Sequence, residues 1–130
     1  MGLPLELHGK TALVCGASKG IGRATALVLA ELGATVTVLA RTRSALTDLA
    51  KELVAKGAPS AHVLAADLDD RHGLEKLLRE HVEINGPHHI WVNNTGGPPG
   101  GPLTQAAPEA IQHAVGRHLL APQAILGILL

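Results

Sequence analysis

Residues 15–22 read CGASKGIG and place three glycines, Gly16, Gly20 and Gly22, between an aliphatic run and a helical pattern. A first glycine permits a tight turn after a strand, and later glycines let a phosphate approach the backbone. The start of the following helix offers unpaired N–H groups and a partial positive charge, which together bind a pyrophosphate. The stretch therefore predicts a dinucleotide phosphate site. Glycines that only form a strand–helix turn are the alternative.

The elements that would position this loop alternate between strand and helix patterns. Strands are predicted over residues 11–15, 35–39, 61–65 and 89–92. The first helix is predicted to bury one apolar face, and helices of similar spacing follow over about 46–54, about 70–84, and from Pro108 toward the end with an interruption at Pro122. The residues assigned to the first apolar face are Ile21, Val28, Leu29 and Leu32. The alternation predicts an α/β fold with a parallel sheet covered on both faces.

A second loop, VNNTGGPPGGPL at residues 92–103, carries few side chains that could do chemistry. In a doubly wound sheet of strand order 3-2-1-4, strands one and four are neighbours, so both glycine loops would border one crevice at the switch point. We expect backbone of the second loop to approach the nicotinamide ribose of a dinucleotide, with Asn93 and Asn94 fastening it by hydrogen bonds. A flexible surface loop is the alternative.

The composition narrows the class of protein. The chain has 130 residues, enough for one domain, and its only aromatic residue of the Phe, Trp and Tyr class is Trp91. Eleven basic residues balance eleven acidic ones, so neither nucleic acid nor an anionic membrane is expected as a partner. The single Cys15 fits a reducing cytoplasm, and the apolar tail is shorter than the roughly 20 residues of a membrane span. We expect a soluble, cytoplasmic, single-domain protein.

The motifs resemble those of the short-chain dehydrogenase/reductase family. The glycine spacing is similar to the family's T-G-x-x-x-G-x-G, with Cys15 in place of Thr, and NNTG at 93–96 is similar to its N-N-A-G, with Thr95 in place of Ala. ADL at 66–68 matches the family's adenine-contacting Asp. The resemblance implies a Rossmann-like fold and the cofactor-binding residues Gly16, Ser18, Lys19, Gly20, Ile21, Gly22, Arg41, Asp67, Leu68, Asn93 and Gly96.

The end of the second strand indicates which dinucleotide is bound. An NAD site has an acidic residue there, whereas this chain has Ala40 followed by Arg41. An arginine can hold a 2′-phosphate that a carboxylate would repel, and Lys19 adds a second cation. NADP is therefore predicted in preference to NAD. The alternative is that Arg41 and Arg43 are ordinary solvated residues at a helix start.

The resemblance also implies residues that this sequence does not contain. The family's carbonyl reduction or alcohol oxidation uses a Ser, a Tyr-x-x-x-Lys pair and a helix Asn, because the phenol exchanges the alcohol proton and the ammonium lowers its pKa. The chain has no Tyr, no Lys after Lys76 and no Ser after Ser60, and His118 stands at the family's Asn position. We therefore assign no catalytic residue.

The expectation is the cofactor-binding half of an NADP-dependent oxidoreductase, with the fold cut before the family's later strands. A small carbonyl or alcohol substrate is expected only where the missing half is present. The alternatives are a non-catalytic nucleotide-binding or interaction protein and an inactive fragment. Strand four as an open edge and an apolar tail without partner helices predict self-association through the last helix.

The eight histidines raise the question of a metal site. His88 and His89 are adjacent and would point to opposite sides of a strand, while His113 and His118 are five residues apart. Neither spacing makes a good zinc pair, so no metal is expected.

Overall fold

A computed structural model describes residues 5–130. Four strands alternate with helices along the chain, and a short 3-10 turn, Leu103–Gln105, and a π-helical segment, Gly116–Leu120, occur in the last third. The strands are β1 Thr11–Cys15, β2 Thr35–Ala40, β3 Ala61–Ala65 and β4 Ile90–Val92. The helices are α1 Gly20–Glu31, α2 Arg43–Lys56, α3 Arg71–Asn85, α4 Pro108–Val115 and α5 Ala121–Leu129.

The sheet has the predicted strand order, β3-β2-β1-β4, and every pairing in it is parallel. β1 is central, with Leu13 opposite Thr37 of β2 on one side and Trp91 of β4 on the other. The α/β Rossmann-like architecture is therefore confirmed. β4 lies at one edge of the sheet, so the loops that leave β1 and β4 begin side by side.

Apolar side chains cover both faces of the sheet. On one face α1 and α2 pack over Val14, Val36 and Val38. On the other face α3 and α5 pack over Leu13 and Leu39. Each face is built by alternate residues of the same strands, as the two-residue period of a strand requires.

The buried face of α1 differs from the predicted one. Ala26 and Ala30 are fully buried, whereas Ile21 is 77% exposed and Val28 is 47% exposed. Small residues let the helix axis come close to the sheet, and the branched side chains turn outward. Leu29 is partly buried and packs against the core as predicted. The prediction was wrong for Ile21 and Val28, because it weighted large apolar side chains and overlooked alanine as a packing residue.

The last helical stretch does not break at Pro122. The chain stays helical from Pro108 to Leu129 and widens into the π segment just before this proline, which lies in the first turn of α5. A π turn relieves the clash between a proline ring and the carbonyl of the preceding turn. Ala121, Ile125 and Leu129 are buried in the core with α3, so the apolar tail has a partner helix. The expectation of an uncovered tail was wrong for these residues.

Within residues 5–130, none of the helices combines the length and the apolar character that crossing a bilayer requires.

A chain of polar groups, of which Thr37 and His81 are buried, lies on the α3 face. Asn85 Nδ2 lies 3.1 Å from His81 Nδ1, which places the His81 proton on Nε2, 3.1 Å from the Thr37 hydroxyl. That hydroxyl also lies 3.3 Å from His88 Nε2. His88 Nδ1 is buried without a partner among the described residues.

These contacts make folding sensitive to acid. Burial lowers the pKa of His81, and burial together with His81 and His62 lowers the pKa of His88 to about 4. The unfolded chain, with ordinary histidines, binds more protons between pH 6.5 and 4. Full stability is therefore present above pH 6.5, and we expect it to fall as the pH drops toward 4. Urea unfolding at several pH values measures the slope, which is at most about 1.4 kcal/mol per pH unit for each proton taken up.

His88→Asn should reduce the dependence of the free energy of unfolding on pH, since it removes a histidine whose pKa is lowered in the folded chain. His72→Asn is the matched control, because His72 is exposed on the same helix as His81. Equal slopes for His88→Asn and the unmodified chain would refute this assignment.

Candidate functional site

A cleft of about 790 Å³ opens at the carboxyl ends of the strands. The loop after β1, the end of β2 with the start of α2, the segment after β3 and the loop after β4 all border it. Its lining residues are Gly16, Ser18, Lys19, Gly20, Ile21, Leu39, Ala40, Arg41, Thr42, Ala45, Ala66, Asp67, Leu68, Asn94, Thr95, Gly96 and Arg117. In an open parallel sheet this is the position where ligands bind.

The loops after β1 and β4 touch at the floor of the cleft. Asn94 Nδ2 donates to the Gly16 carbonyl at 3.4 Å. A Cβ added to Gly16 would lie 2.5 Å from the Asn94 carbonyl oxygen, and Gly16 has a φ of +61°. A Cβ on Gly22 would overlap the Gly16 carbonyl. Glycine is thus required at both positions by close backbone packing, independently of any ligand.

The first turn of α1 is left open toward the cleft. Lys19 is the N-cap residue and forms no side-chain cap, and the first turn carries no acidic residue. The first amide groups of a helix have no partner inside the helix. Gly20 and Ile21, at the start of α1, both line the cleft. These uncapped N–H groups and the helix dipole can bind an anionic group such as a phosphate.

Three cations line the cleft, and they differ in their partners. Lys19 and Arg41 are exposed, and within residues 5–130 neither forms a salt bridge. Arg117, from the π segment, instead forms an ion pair with Asp69 through both carboxylate oxygens. The cleft therefore has two cations available to a phosphate and one that is already neutralised.

Asp69 links Arg117 to two neighbours. Its second oxygen lies 2.9 Å from His113 Nε2, and its backbone N–H donates to Asp67 Oδ1 at 2.9 Å. The hydrogen bond from Arg117 is the largest cause that lowers the pKa of Asp69. The segment after β3 is thus fixed to the last helical stretch at the edge of the cleft.

The cleft lining includes all the residues predicted for the cofactor site except Gly22 and Asn93. Gly22 is buried beneath the loop, and Asn93 is exposed outside the cleft. Asn94, which was also predicted to fasten the loop, lines the cleft and forms the hydrogen bond to Gly16. The contact of Asn93 with a cofactor stays a prediction.

Most of the Gly/Pro loop turns away from this cleft. Gly96 borders it, but residues from Pro98 to Leu103 line a separate apolar groove of about 670 Å³ against α4 and the π segment. His118 also lines that groove, with its Nε2 buried and without a partner among the described residues. Residues 98–103 thus do not line the cleft, and the approach of this loop to a nicotinamide ribose stays a prediction.

Cys15 and the histidines offer little further chemistry in the described chain. Burial raises the pKa of the Cys15 thiol to about 11, so the side chain is a neutral packing group. No three His, Cys, Asp or Glu side chains come together as metal ligands within residues 5–130. The bordering loops, the open helix start and the free cations point to a phosphorylated ligand.

The sequence profile of the short chain dehydrogenase family matches residues 10–124. The chain belongs to this family. Two curated relatives, both oxidoreductases by name, are similar over most of its length. A 2,3-dihydroxy-2,3-dihydro-p-cumate dehydrogenase of Pseudomonas putida is 38% identical over 115 residues, which are 88% of this chain and 44% of the relative. D-erythrulose reductase of Gallus gallus is 37% identical over 110 residues, which are 85% and 41%. The chain thus spans less than half the length of these relatives.

Solved structures of family members share the fold. L-sorbose reductase from Gluconobacter frateurii, complexed with NADPH and L-sorbose, superposes with a TM-score of 0.89 at 29% identity, covering 98% of this chain and 48% of that one. A metagenomic short-chain oxidoreductase in complex with NADP gives a TM-score of 0.84 at 35% identity, with 94% and 55% covered. The short-chain dehydrogenase fold of these proteins continues beyond the part that this chain matches.

The contact between the two loops can be tested with two glycine variants. Gly16→Ala should lower the free energy of unfolding by about 2 kcal/mol or more, because it combines a left-handed backbone with a clash against Asn94. Gly96→Ala is the control, since a Cβ there meets nothing within 4 Å. Urea unfolding compares the two. Equal losses of stability would contradict the tight packing described for Gly16.

Proposed function

We propose that this chain is the cofactor-binding half of an NADP-dependent short-chain oxidoreductase and that its 130 residues act as one dinucleotide-binding domain. The observation that carries the proposal is the cleft between the loops after β1 and β4, which brings an uncapped helix start together with two unpaired cations. Anions are stabilised at such a position by the helix dipole and by direct charge pairing.

The cleft offers a separate set of residues for each part of the dinucleotide. The open first turn of α1, with Gly16, Ser18, Gly20 and Ile21, would bind the pyrophosphate. Arg41 and Lys19 would hold the 2′-phosphate of the adenosine ribose. Asp67 and Leu68 would border the adenine, and Asn94 and Gly96 the nicotinamide side. Gly22 supports the loop from below, and Asn93 has no role in this assignment.

The comparisons support NADP in preference to NAD, since solved relatives carry NADPH or NADP in their complexes. The charge of the cleft agrees with this preference. A second-strand carboxylate, which would repel a 2′-phosphate, is absent from this sequence, where Ala40 and Arg41 occupy the position.

Bound NADP supplies or accepts a hydride in the chemistry of a short-chain oxidoreductase. This chain contributes the binding and orientation of that cofactor. It contains no tyrosine to exchange the alcohol proton, so we propose that the 130 residues by themselves bind the cofactor without turnover. A small carbonyl compound or alcohol would be the substrate of the complete enzyme, and a cytoplasmic location stays a prediction.

Arg41 should decide the cofactor preference. Arg41→Ala is expected to weaken NADPH binding about 10- to 100-fold and to change NADH binding little, because only NADPH has the phosphate that the guanidinium pairs with. Titration calorimetry of the unmodified chain and the variant with both cofactors measures this difference. Absorbance at the reduced nicotinamide band in the presence of aldehydes and ketones tests turnover in the same samples.

Arg43→Ala is the matched control, since Arg43 lies at the start of α2 but does not line the cleft. The proposal fails if the unmodified chain binds neither cofactor at millimolar concentration. A preference for NADH would overturn the NADP assignment while leaving a dinucleotide site in place.

A self-associating surface is a second proposal, supported by apolar residues that the fold leaves uncovered. Ile111, Val115 and Leu119 recur every four residues along α4 and the π segment, and all three are exposed. Contiguous apolar surface of this kind is typical of an interface. All three residues line the groove that the prolines of the second loop also line.

Val115→Asp should therefore shift the chain toward monomer in sedimentation velocity, because a charge in an apolar interface is costly to bury. Ile84→Asp is the control: Ile84 is 81% exposed but lies on α3, away from this surface. A chain that is already monomeric at high micromolar concentration would rule out this interface.

A further inference from the structure

Arg117 is the one lining residue of the described cleft that comes from beyond Gly96. It enters from the π segment and meets the cleft beside Asp67 and Leu68, at the end of β3. Its side chain is 21% exposed, about half the 39% of Arg23, the arginine of the exposed Arg23–Glu52 pair. An arginine packed into the wall of a ligand cleft is placed to contact the ligand.

The guanidinium of Arg117 is fixed before any ligand binds. Nε donates to Asp69 Oδ1 at 3.1 Å, and Nη2 pairs with Asp69 Oδ2. A two-pronged pair of this kind fixes the plane of the guanidinium as well as its position. His113, one turn before Arg117 along the helix, lies 2.9 Å from the same carboxylate through its Nε2. In this fixed orientation the side chain lines the cleft.

The charge around Arg117 argues against a phosphate at this end of the cleft. Asp69 neutralises the guanidinium, and Asp67 adds a second negative charge nearby, which contributes to raising the pKa of Arg117. A phosphate would have to approach two carboxylates. An uncharged ring suits this position better, because guanidinium planes stack on nucleic acid bases and aromatic rings without needing a counter-charge.

We propose that Arg117, held flat by Asp69, contacts the purine ring of the bound dinucleotide and is a specificity-determining residue for that end of the cofactor. The inference rests on the proposed dinucleotide function and assigns the cleft's cations to different tasks. The unpaired Lys19 and Arg41 attract phosphate, whereas the neutralised Arg117 contacts the base. Asp69 acts as a positioning residue, since it orients Arg117.

The test compares two probes that differ only in the base. One is 2′,5′-ADP, and the other is ribose 2,5-bisphosphate, which has both phosphates and no purine. Arg117→Leu keeps an apolar side chain at this position and removes the guanidinium. It is expected to weaken 2′,5′-ADP binding by roughly 5- to 100-fold, the range of one stacked base, and to change the binding of the base-free probe less than about twofold.

Arg41→Leu should give the opposite pattern, with a loss for both probes, because both contain the 2′-phosphate. Arg79→Leu, an exposed arginine on α3 outside the cleft, controls for the loss of a cation. Arg117→Lys keeps the positive charge but not the planar guanidinium. It should also weaken the binding of 2′,5′-ADP and leave the binding of the base-free probe unchanged. It serves in place of Arg117→Leu if circular dichroism shows that the leucine variant is unfolded.

The two proposals fail in different ways. If the unmodified chain binds 2′,5′-ADP but the Arg117 variants bind it equally well, or lose both probes equally, the assignment of Arg117 to the base is wrong and the dinucleotide site stands. If the unmodified chain binds neither probe, the proposed function is wrong and the role of Arg117 is rejected with it.

Discussion

The parallel pairing of β1 with β4 is the constraint on which the cleft depends. It sets Val14 opposite Val92 in the ladder, so the chain leaves both strands at the same height and the two following loops meet. Asn94 then reaches the Gly16 carbonyl, and the backbone of the two loops comes too close for any side chain at Gly16. The register of the sheet thus determines where the floor of the cleft forms. Glycine at positions 16 and 22 lets the backbone beyond the strand ends pack closely.

The cleft also shows how the fold sorts equal charges into different roles. Lys19 and Arg41 come from turns immediately after β1 and β2, where no carboxylate in the described chain pairs with them. Arg117 comes from a helix more than twenty residues past the last strand and meets a carboxylate held by the β3 loop. An exposed cation without a salt-bridge partner can attract an anionic ligand, whereas a guanidinium that is already paired can still contact a ligand through its planar surface. The presence or absence of a carboxylate partner, more than the residue type, therefore distinguishes Arg117 from Arg41.

The alternation of strands and helices predicts the sheet order and the parallel pairing, and the family resemblance adds most of the residues that line the cleft. A β-branched run followed by glycine marks a strand end, and alternation with helices leaves one common topology. The sequence near a strand end does not show which residue faces the cleft. Asn94 lines the cleft and Asn93 does not, although the two are adjacent and identical in type. Arg117 could not be found by motif spacing, since its partner Asp69 is 48 residues away and is reached only through the packing of α5 on α3.

The buried face of α1 is a second feature that hydrophobic periodicity did not predict correctly. On α1 the large side chains of Ile21 and Val28 favour burial, yet Ala26 and Ala30 are what the sheet contacts. A tight helix–sheet distance makes small residues the better packing surface, and at the start of the same helix the Gly22 backbone lies against Gly16. Close packing of α1 thus occurs both at the floor of the cleft and along the buried face of the helix. A substitution that pushes α1 away from β1 would therefore disturb the cleft and the core together.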